Sequence, residues 1–327
     1  MTADTLTCLP RTGAPRVLVV AAGILAGCLA GTVMAADCGT TIIEDLGSDA
    51  FAAPAGCGGI ALTLVGPARL DLTGQTLSCD GSFDSVGISL LGAGAQLTGG
   101  VVENCGVGVL VEGEGGHRVA GLTASGNGEP HRESGGFDVR SDHNRLVEVS
   151  ATGNGHYGIR IDGNDNRVRR SDASNNQWFG IVVFGERNRV RRSSANQNED
   201  ANIVISNRIG SGAALHGGGD GNVVALSEAN GSRSNDGIYV AGDRNVIRGN
   251  QANDNFADGI DIYFTGHDNR IAGNTALNNH AAADTEVEDF AGIDLEDRNP
   301  ECDANEWLDN TFATSIADDE ENPACIQ

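Results

Sequence analysis

From Gly87 onward the chain repeats a short apolar pattern, Gly-Ile-x-Ile or a close variant. It starts at Gly87, Gly108, Gly136, Gly158, Gly180, Asn202, Gly237, Gly259 and Gly292. The four starts from Gly136 to Asn202 lie 22 residues apart, as do Gly237 and Gly259, and the wider gaps hold insertions at 129–134, 210–219 and 279–289. Within each unit the apolar side chains alternate with period two, as in Ile159 and Ile161, Ile181 and Val183, Ile203 and Ile205, Ile238 and Val240, or Ile260 and Ile262. Alternation over so few residues describes a half-buried strand and is too short for a helix. A second apolar position follows a polar turn, at Val168, Val190, Val246 and Ile271, each led by an asparagine at 166, 188, 245 or 269. A further asparagine column runs through Asn154, Asn176, Asn198, Asn255 and Asn279.

A unit made of several short strands and no helix cannot bury its own apolar side chains. Stacked units can, because each coil covers the next and the Ile and Val columns become one continuous core. The pattern predicts an all-β, right-handed parallel β-helix with one coil per 22 residues or so. Asparagines in register would hydrogen-bond along the stack at about 4.8 Å per coil, a structural role ahead of any chemical one. Residues 1–36 read as a signal peptide, 37–86 as an N-terminal cap with the first coils, 87–312 as the repeats, and 313–327 as a C-terminal cap and tail.

The Gly-Ile-x-Ile and Asn-Arg-Val units resemble the parallel β-helix repeats of the pectate-lyase-like superfamily, over about residues 60–312. That superfamily holds lyases, hydrolases, epimerases and non-enzymatic binders, so the resemblance implies a fold and leaves the reaction open. The ends are similar to those of a secreted, cysteine-bearing subset: Asp37-Cys38-Gly39 at the start, then Cys302, Asn305, Trp307, Asn310 and Phe312, followed by Cys325-Ile326.

Composition narrows the picture. The net charge is −24 and every basic residue is Arg, with no Lys in the chain. Nucleic acid is a poor partner for such a surface, and Lys chemistry is excluded. Arg11 and Arg16 precede an apolar run from Val17 to Ala36 with small residues at Val33-Met34-Ala35, the form of a cleaved export signal. Leu25-Ala26-Gly27-Cys28 also resembles a lipoprotein box, with Cys28 as the lipidated residue, although the run stays apolar beyond it; simple cleavage is favoured. The expected location is secreted, periplasmic or at the cell surface, as a monomer. Six cysteines remain after cleavage: Cys38, Cys57, Cys79, Cys105, Cys302 and Cys325. They permit fifteen pairings. A chain that returns to the same corner after one coil brings residues one coil apart within disulfide reach, so sequential pairs spaced 19, 26 and 23 residues apart are expected to cap the ends.

Chemistry in the superfamily's enzymes lies on the outer face of one sheet, where acids, His or Arg from successive coils meet substrate. The matching positions in this chain form two patches. The first contains Asp138, His156, Arg160 and Asp200 as candidate catalytic residues and Trp178 as a flat face for a sugar ring, with Tyr239 as a second substrate contact further along the column. The competing reading is a corner cluster of stacked aromatics, with Asp138 and Arg160 simply paired. The second patch holds Asp236, Asp258, Asp261, Asp294 and Glu296, of which Asp258, Asp261 and Asp294 are candidate ligands for a hard cation such as Ca²⁺. Its rival is a solvated acidic face. Two arginine columns, Arg145-Arg167-Arg189 and Arg169-Arg191-Arg248, could grip an anionic polysaccharide or pair with neighbouring acids. A periplasmic copper-maturation protein shares this repeat, but the scattered His and the lack of Cys/His spacing argue against a soft metal here. Asp258-Gly259-Ile260-Asp261 resembles one strand of polygalacturonases, and Glu129-Pro130-His131-Arg132 faintly resembles an epimerase motif, each without its companion motifs. The leading expectation is an exported protein that binds or processes an acidic polysaccharide, as a lyase, epimerase, glycoside hydrolase or binder. The alternative is a non-catalytic envelope or adhesion protein.

Overall fold

The computed structural model describes residues 17–18, 34–130, 132, 134–206, 219–279, 292–302, 304–317, 320–321 and 323–327. The lipoprotein box with Cys28, the body of the 207–218 and 280–291 insertions, and His131 lie outside the described residues. The chain winds into a right-handed parallel β-solenoid of about eleven turns. One coil shows the plan. Tyr157–Ile161 lies in a first sheet, Arg167–Arg169 in a second, and Asp172 in a third. The first sheet has fourteen strands and the second ten. The third begins with Thr76–Ser78, Val101–Glu103 and Thr123–Ser125, then continues as single-residue bridges from Thr123 to Thr311.

Inward columns from the three sheets make the core. Ile159, Ile181, Ile203, Ile238, Ile260 and Leu295 stack from the first, Val168, Val190, Val224, Ile247, Ile271 and Trp307 from the second, and Ala151, Ala173, Ala195, Ala229, Ala252 and Ala276 from the third, all at most 2 % exposed. Each buried Ile contributes roughly 2–3 kcal/mol relative to exposure. Ile247 takes the inward place expected of Val246, which pairs outward beside Val223. Small residues on the third sheet let the triangular section close.

Each corner turns through one residue at positive φ, a conformation that Asn and Asp tolerate better than Arg. In one coil these are Asp165, Arg170 and Asn175, at 56°, 53° and 59°. The Gly column marks a tighter corner: a Cβ on Gly158 would fall 2.7 Å from Asn176 Nδ2 and 2.8 Å from the Ala151 carbonyl. The clashing amide belongs to the asparagine ladder. In that ladder Asn127, Asn154, Asn176 and Asn198 each accept the preceding member's backbone N–H or side-chain amide, beginning with Cys105 N–H. Ser232 stands where the next Asn is due, and Asn202 stands where the next Gly is due. Asn202 fills the gap: its Oδ1 accepts from Asn198 and its Nδ2 donates to Asn255 Oδ1 at 3.0 Å. A second ladder runs Asn144, Asn166, Asn188, Asn222, Asn245, Asn269, Asn305.

Cys38–Cys57, Cys79–Cys105 and Cys302–Cys325 are joined, with Cα separations of 5.5, 4.8 and 6.1 Å, the sequential scheme expected from the coil length. The C-terminal end is closed by an antiparallel return, Ser315–Ala317 against Glu320–Glu321.

Candidate functional site

Strand alternation gives the first sheet an outward column between its two inward ones. The central column reads Asp138, Arg160, Val182, Val204, Tyr239, Asp261 and Glu296. Asp138 and Arg160 are neighbours across coils, and each also holds an opposite charge within its own coil. Asp138 Oδ2 accepts from Arg140 Nε and Nη2 at 3.0 and 2.7 Å, and Arg160 Nε and Nη2 donate to Asp162 at 2.8 and 3.0 Å. Residues two apart on a strand face the same way, which brings these in-coil pairs together. The result is a checkerboard in which each charge meets its opposite both along the strand and across the coils. Burial pushes the Asp138 carboxyl up while the Arg140 hydrogen bond holds it down. Asp138 is fully buried and Arg160 is 5 % exposed.

The aromatic candidates form the corner cluster. His156 stacks on Trp178 with ring centroids 4.9 Å apart, and Tyr157 sits between His156 and Arg160, at 5.4 and 5.8 Å. Tyr157, Phe179, Val182, Ala201 and Val204 make a satellite apolar cluster, with Trp178, Phe184 and Tyr239 against it. Asp200 stands apart from Asp138 and Arg160, two coils beyond Asp138's next neighbour, and accepts from Asn235 Nδ2 at 2.7 Å. Of the four proposed catalytic residues, Asp138 and Arg160 are buried, and Asp200 follows His156 and Trp178 along the stack, its N–H bonded to the Trp178 carbonyl.

At the other end of the face, Asp236, Asp258 and Asp261 bring carboxylate oxygens within 4.8 Å of one another, all buried. Arg298, which the sequence reading missed, supplies their counter-charge. Its Nε donates to Asp261 Oδ1 at 3.2 Å, and its Nη2 lies 3.0 Å from Asp261 Oδ2, 3.2 Å from Glu296 and 3.8 Å from Asp258. Burial pushes the Asp236 carboxyl up to about 7. Burial and the Asp236 charge push Asp258 and Asp261 up as well. Tyr239 lies beside Asp261, its buried hydroxyl without a hydrogen-bond partner. Asp294 does not belong to this group. Leu295 pairs with Ile260 and Glu296 with Asp261, so the true register lies two residues beyond the Gly292 start. Asp294 instead ends the asparagine ladder, Oδ1 accepting from Asn279 and Oδ2 from the Ala313 and Thr314 N–H groups. An all-oxygen set suits a hard cation, but Arg298 already occupies the charge-balancing position.

The second sheet presents a different surface. Arg118, Arg145, Arg167 and Arg189 stand in register on four successive coils, with Arg169 and Arg191 beside the last two. All six are exposed, and none forms an ion pair among the described residues. Seven arginines elsewhere behave otherwise: Arg140, Arg160, Arg170, Arg187, Arg233, Arg244 and Arg298 each hold an acid. The turn residue Arg170 takes Glu148, leaving the column arginines without it. Gln96 and Val223 end the run in the same column.

Soft metal donors do not gather among the described residues. His117 is fully buried with both ring nitrogens engaged, Nδ1 accepting from Ala95 N–H and Nε2 donating to the Glu112 carbonyl. His156 is stacked, His267 lies 3.4 Å from Asp243, and the six cysteines from Cys38 onward are in disulfides.

A family model described as periplasmic copper-binding protein (NosD) matches residues 93–294, more than half of the chain. No curated protein sequence matches. Among solved structures, the A-module of mannuronan C-5 epimerase AlgE4 of Azotobacter vinelandii is similar with a TM-score of 0.47 and 15 % identity, over 80 % of this chain and 88 % of that one. The Dettilon tailspike protein gives 0.48 and 15 %, over 78 % and 56 %. The periplasmic alginate epimerase AlgG gives 0.46 and 15 %, over 82 % and 76 %. These are likenesses of fold.

Proposed function

We propose that this chain, which belongs to the NosD family of periplasmic copper-binding proteins, is an exported solenoid that binds an acidic polysaccharide along the arginine face of its second sheet. One observation carries the reading. In a chain of net charge −24 with acids in excess everywhere, six arginines stand together without an acid partner. Like charges opposite one another across strands are destabilising, so an arrangement that keeps six of them bare is explained by a ligand that brings the missing charge. Guanidinium is the side chain suited to planar carboxylates.

The face is flat, rigid and repeated at the coil spacing, which suits a linear polymer. The buried checkerboard of Asp138, Arg140, Arg160 and Asp162 is internally neutralised, and this reading gives it a structural role on the opposite sheet. Turnover is not required: holding a polysaccharide serves an envelope or adhesion protein as well. Copper is not part of the reading. The described residues offer oxygen donors at Asp236, Asp258 and Asp261 and no grouped imidazole, thiolate or thioether, a set that does not fit a copper ion.

The test is retention on immobilised polygalacturonate at neutral pH and low ionic strength, against an immobilised neutral galactan. Retention by the first alone, with elution by salt, is expected. Passage through both columns would end the proposal.

A further inference from the structure

A second surface, on the first sheet, departs from the repeat. In regular coils six residue steps separate the last inward residue of the first sheet from the first strand residue of the second, as from Ile161 to Arg167 or Val183 to Arg189. From Ile262 to Arg270 there are eight. The two extra residues push out a corner containing Tyr263 and Phe264, closed by a Gly266 N–H bond to the Tyr263 carbonyl at 2.7 Å and anchored by Thr265 Oγ1 on the Ala241 carbonyl at 2.9 Å. Phe264 is 50 % exposed, the one aromatic among the described large apolar residues left in solvent, and its ring lies 3.9 Å from that of Tyr263.

Beside this step stands Arg298, its guanidinium 5.7 Å from the Tyr263 ring centroid and its side chain 40 % exposed. Its contacts to Asp258, Asp261 and Glu296 run through Nε and Nη2, and Nη1 takes no part in them. The guanidinium is thus pinned on one edge, with a donor pair left over on the other. Glu296, 22 % exposed, adds an acceptor next to it. An aromatic face, a fixed donor and a neighbouring acceptor are the elements that hold a pyranose ring: the ring's C–H face covers the aromatic side chain, and adjacent hydroxyls bridge donor and acceptor.

We infer that the corner formed by Phe264, Tyr263, Glu296 and Arg298 is a binding site for an uncharged sugar residue. The charge of the ligand follows from the surroundings. Arg298 Nη2 lies 3.0 Å from Asp261 and 3.2 Å from Glu296, so its charge is already met and a uronate or sulfated sugar finds no unpaired cation there, whereas a neutral ring needs only hydrogen-bonding partners. The two faces of the solenoid therefore select opposite kinds of saccharide, and this site stands independently of the arginine face.

The test uses the full-length protein and four neutral probes, maltohexaose, cellohexaose, mannohexaose and chitohexaose, titrated by calorimetry with saturation-transfer NMR on the sugar protons. At least one probe is expected to bind, with an affinity unchanged by added salt. Phe264→Ala should weaken it about tenfold, the upper range for losing one stacking partner, and Phe264→Trp should restore it. Phe264 is exposed, so neither change threatens the fold, and circular dichroism checks this. Polygalacturonate binding, followed in parallel, should be the same in wild type and Phe264→Ala. Binding of no probe, or equal binding by Phe264→Ala, overturns the site while leaving the arginine face untouched. Loss of polygalacturonate binding alone removes the arginine face and leaves this one.

Discussion

Replacing Arg145, Arg167 and Arg189 together by Gln should leave the protein as stable as before, or slightly more so, while removing much of its affinity for a polyanion. Arg118, Arg145, Arg167 and Arg189 follow one another on adjacent strands of the second sheet. Two unit charges about 5 Å apart in water repel by about 0.8 kcal/mol, and screening at physiological ionic strength roughly halves this. The triple change removes all three neighbouring repulsions in the column, a relief of about 1 kcal/mol in total. No ion pair is lost in exchange, since these side chains form none among the described residues. Binding responds in the opposite direction. Each cation that neutralises a ligand charge contributes up to about 0.7 to the slope of log affinity against log salt for a single-stranded polyanion, so three lost contacts flatten the slope by about 1–2. The control is Arg170, Arg187 and Arg233 to Gln, whose side chains pair with Glu148, Asp165 and Glu199. Both triple variants change the net charge from −24 to −24 − 3 = −27, so bulk charge cannot separate them. Urea unfolding gives stability, and polygalacturonate titrations at several salt concentrations give the slope. A stability loss well above 1 kcal/mol in the column variant, or equal salt slopes in the two variants, would show that the column arginines are ordinary structural residues.

Three further outcomes follow from the fold and its buried charges. Asn202→Gly restores the repeat's glycine but cuts the ladder, leaving the Asn198 N–H buried without its acceptor; it should cost about 2–4 kcal/mol in chemical denaturation, and an unchanged midpoint would refute the ladder's continuity. With the Asp236 carboxyl raised from 3.8 to about 7, the folded state keeps a proton that the unfolded chain releases, so stability is fully present below pH 4 or so and falls as pH rises toward 7, by up to about 1.4 kcal/mol per unit. Asp236→Asn should make that decline shallower by about one proton, and parallel pH profiles for the two proteins would contradict the assignment. Deleting residues 158–179 removes one coil and rejoins Tyr157 to Gly180; because each coil contacts only its neighbours, a shorter β-protein should result, and loss of the β-type circular dichroism would refute that independence.

The solenoid was legible because its rule is local and repeated. Period-two apolar pairs identify the inward face, the 22-residue spacing gives the coil, and cysteines one coil apart find each other. Register at irregular coils was not legible to the same degree. Gly292-Ile293-Asp294-Leu295 imitates the motif two residues early, so Asp294 was placed outward and Arg298 went unnoticed. The pairing Leu295 with Ile260 is decided by stacking, which no local pattern reports. Asp138 and Arg160 were visible as neighbours, yet the choice of Arg140 and Asp162 as their partners depends on geometry within each coil. The arginine columns could be read from the sequence, but whether acids reach them depends on where turn side chains point. The role of Asn202 in the glycine column was not legible either, because the gap it bridges between Asn198 and Asn255 appears only when the coils are stacked.

The asparagine ladder has a direction. Every rung donates toward the C-terminus and accepts from the N-terminal side, so a stack of such coils is chemically one-way, and nothing in an interior coil says where to stop. Asp294 says it. A carboxylate in the ladder position takes the two donors offered by Asn279, turns its other oxygen to the Ala313 and Thr314 N–H groups, and has no side-chain amide hydrogen to pass on, its backbone N–H ending on Thr314 Oγ1. It works as a chain terminator does in polymer chemistry, consuming the growing end without regenerating it. A second solenoid arriving head to tail would meet an exhausted side-chain ladder at this corner and, in the first sheet, an antiparallel return. A fold whose ends are natural templates for fibre growth thus carries, in one substitution of oxygen for nitrogen, a reason to remain finite.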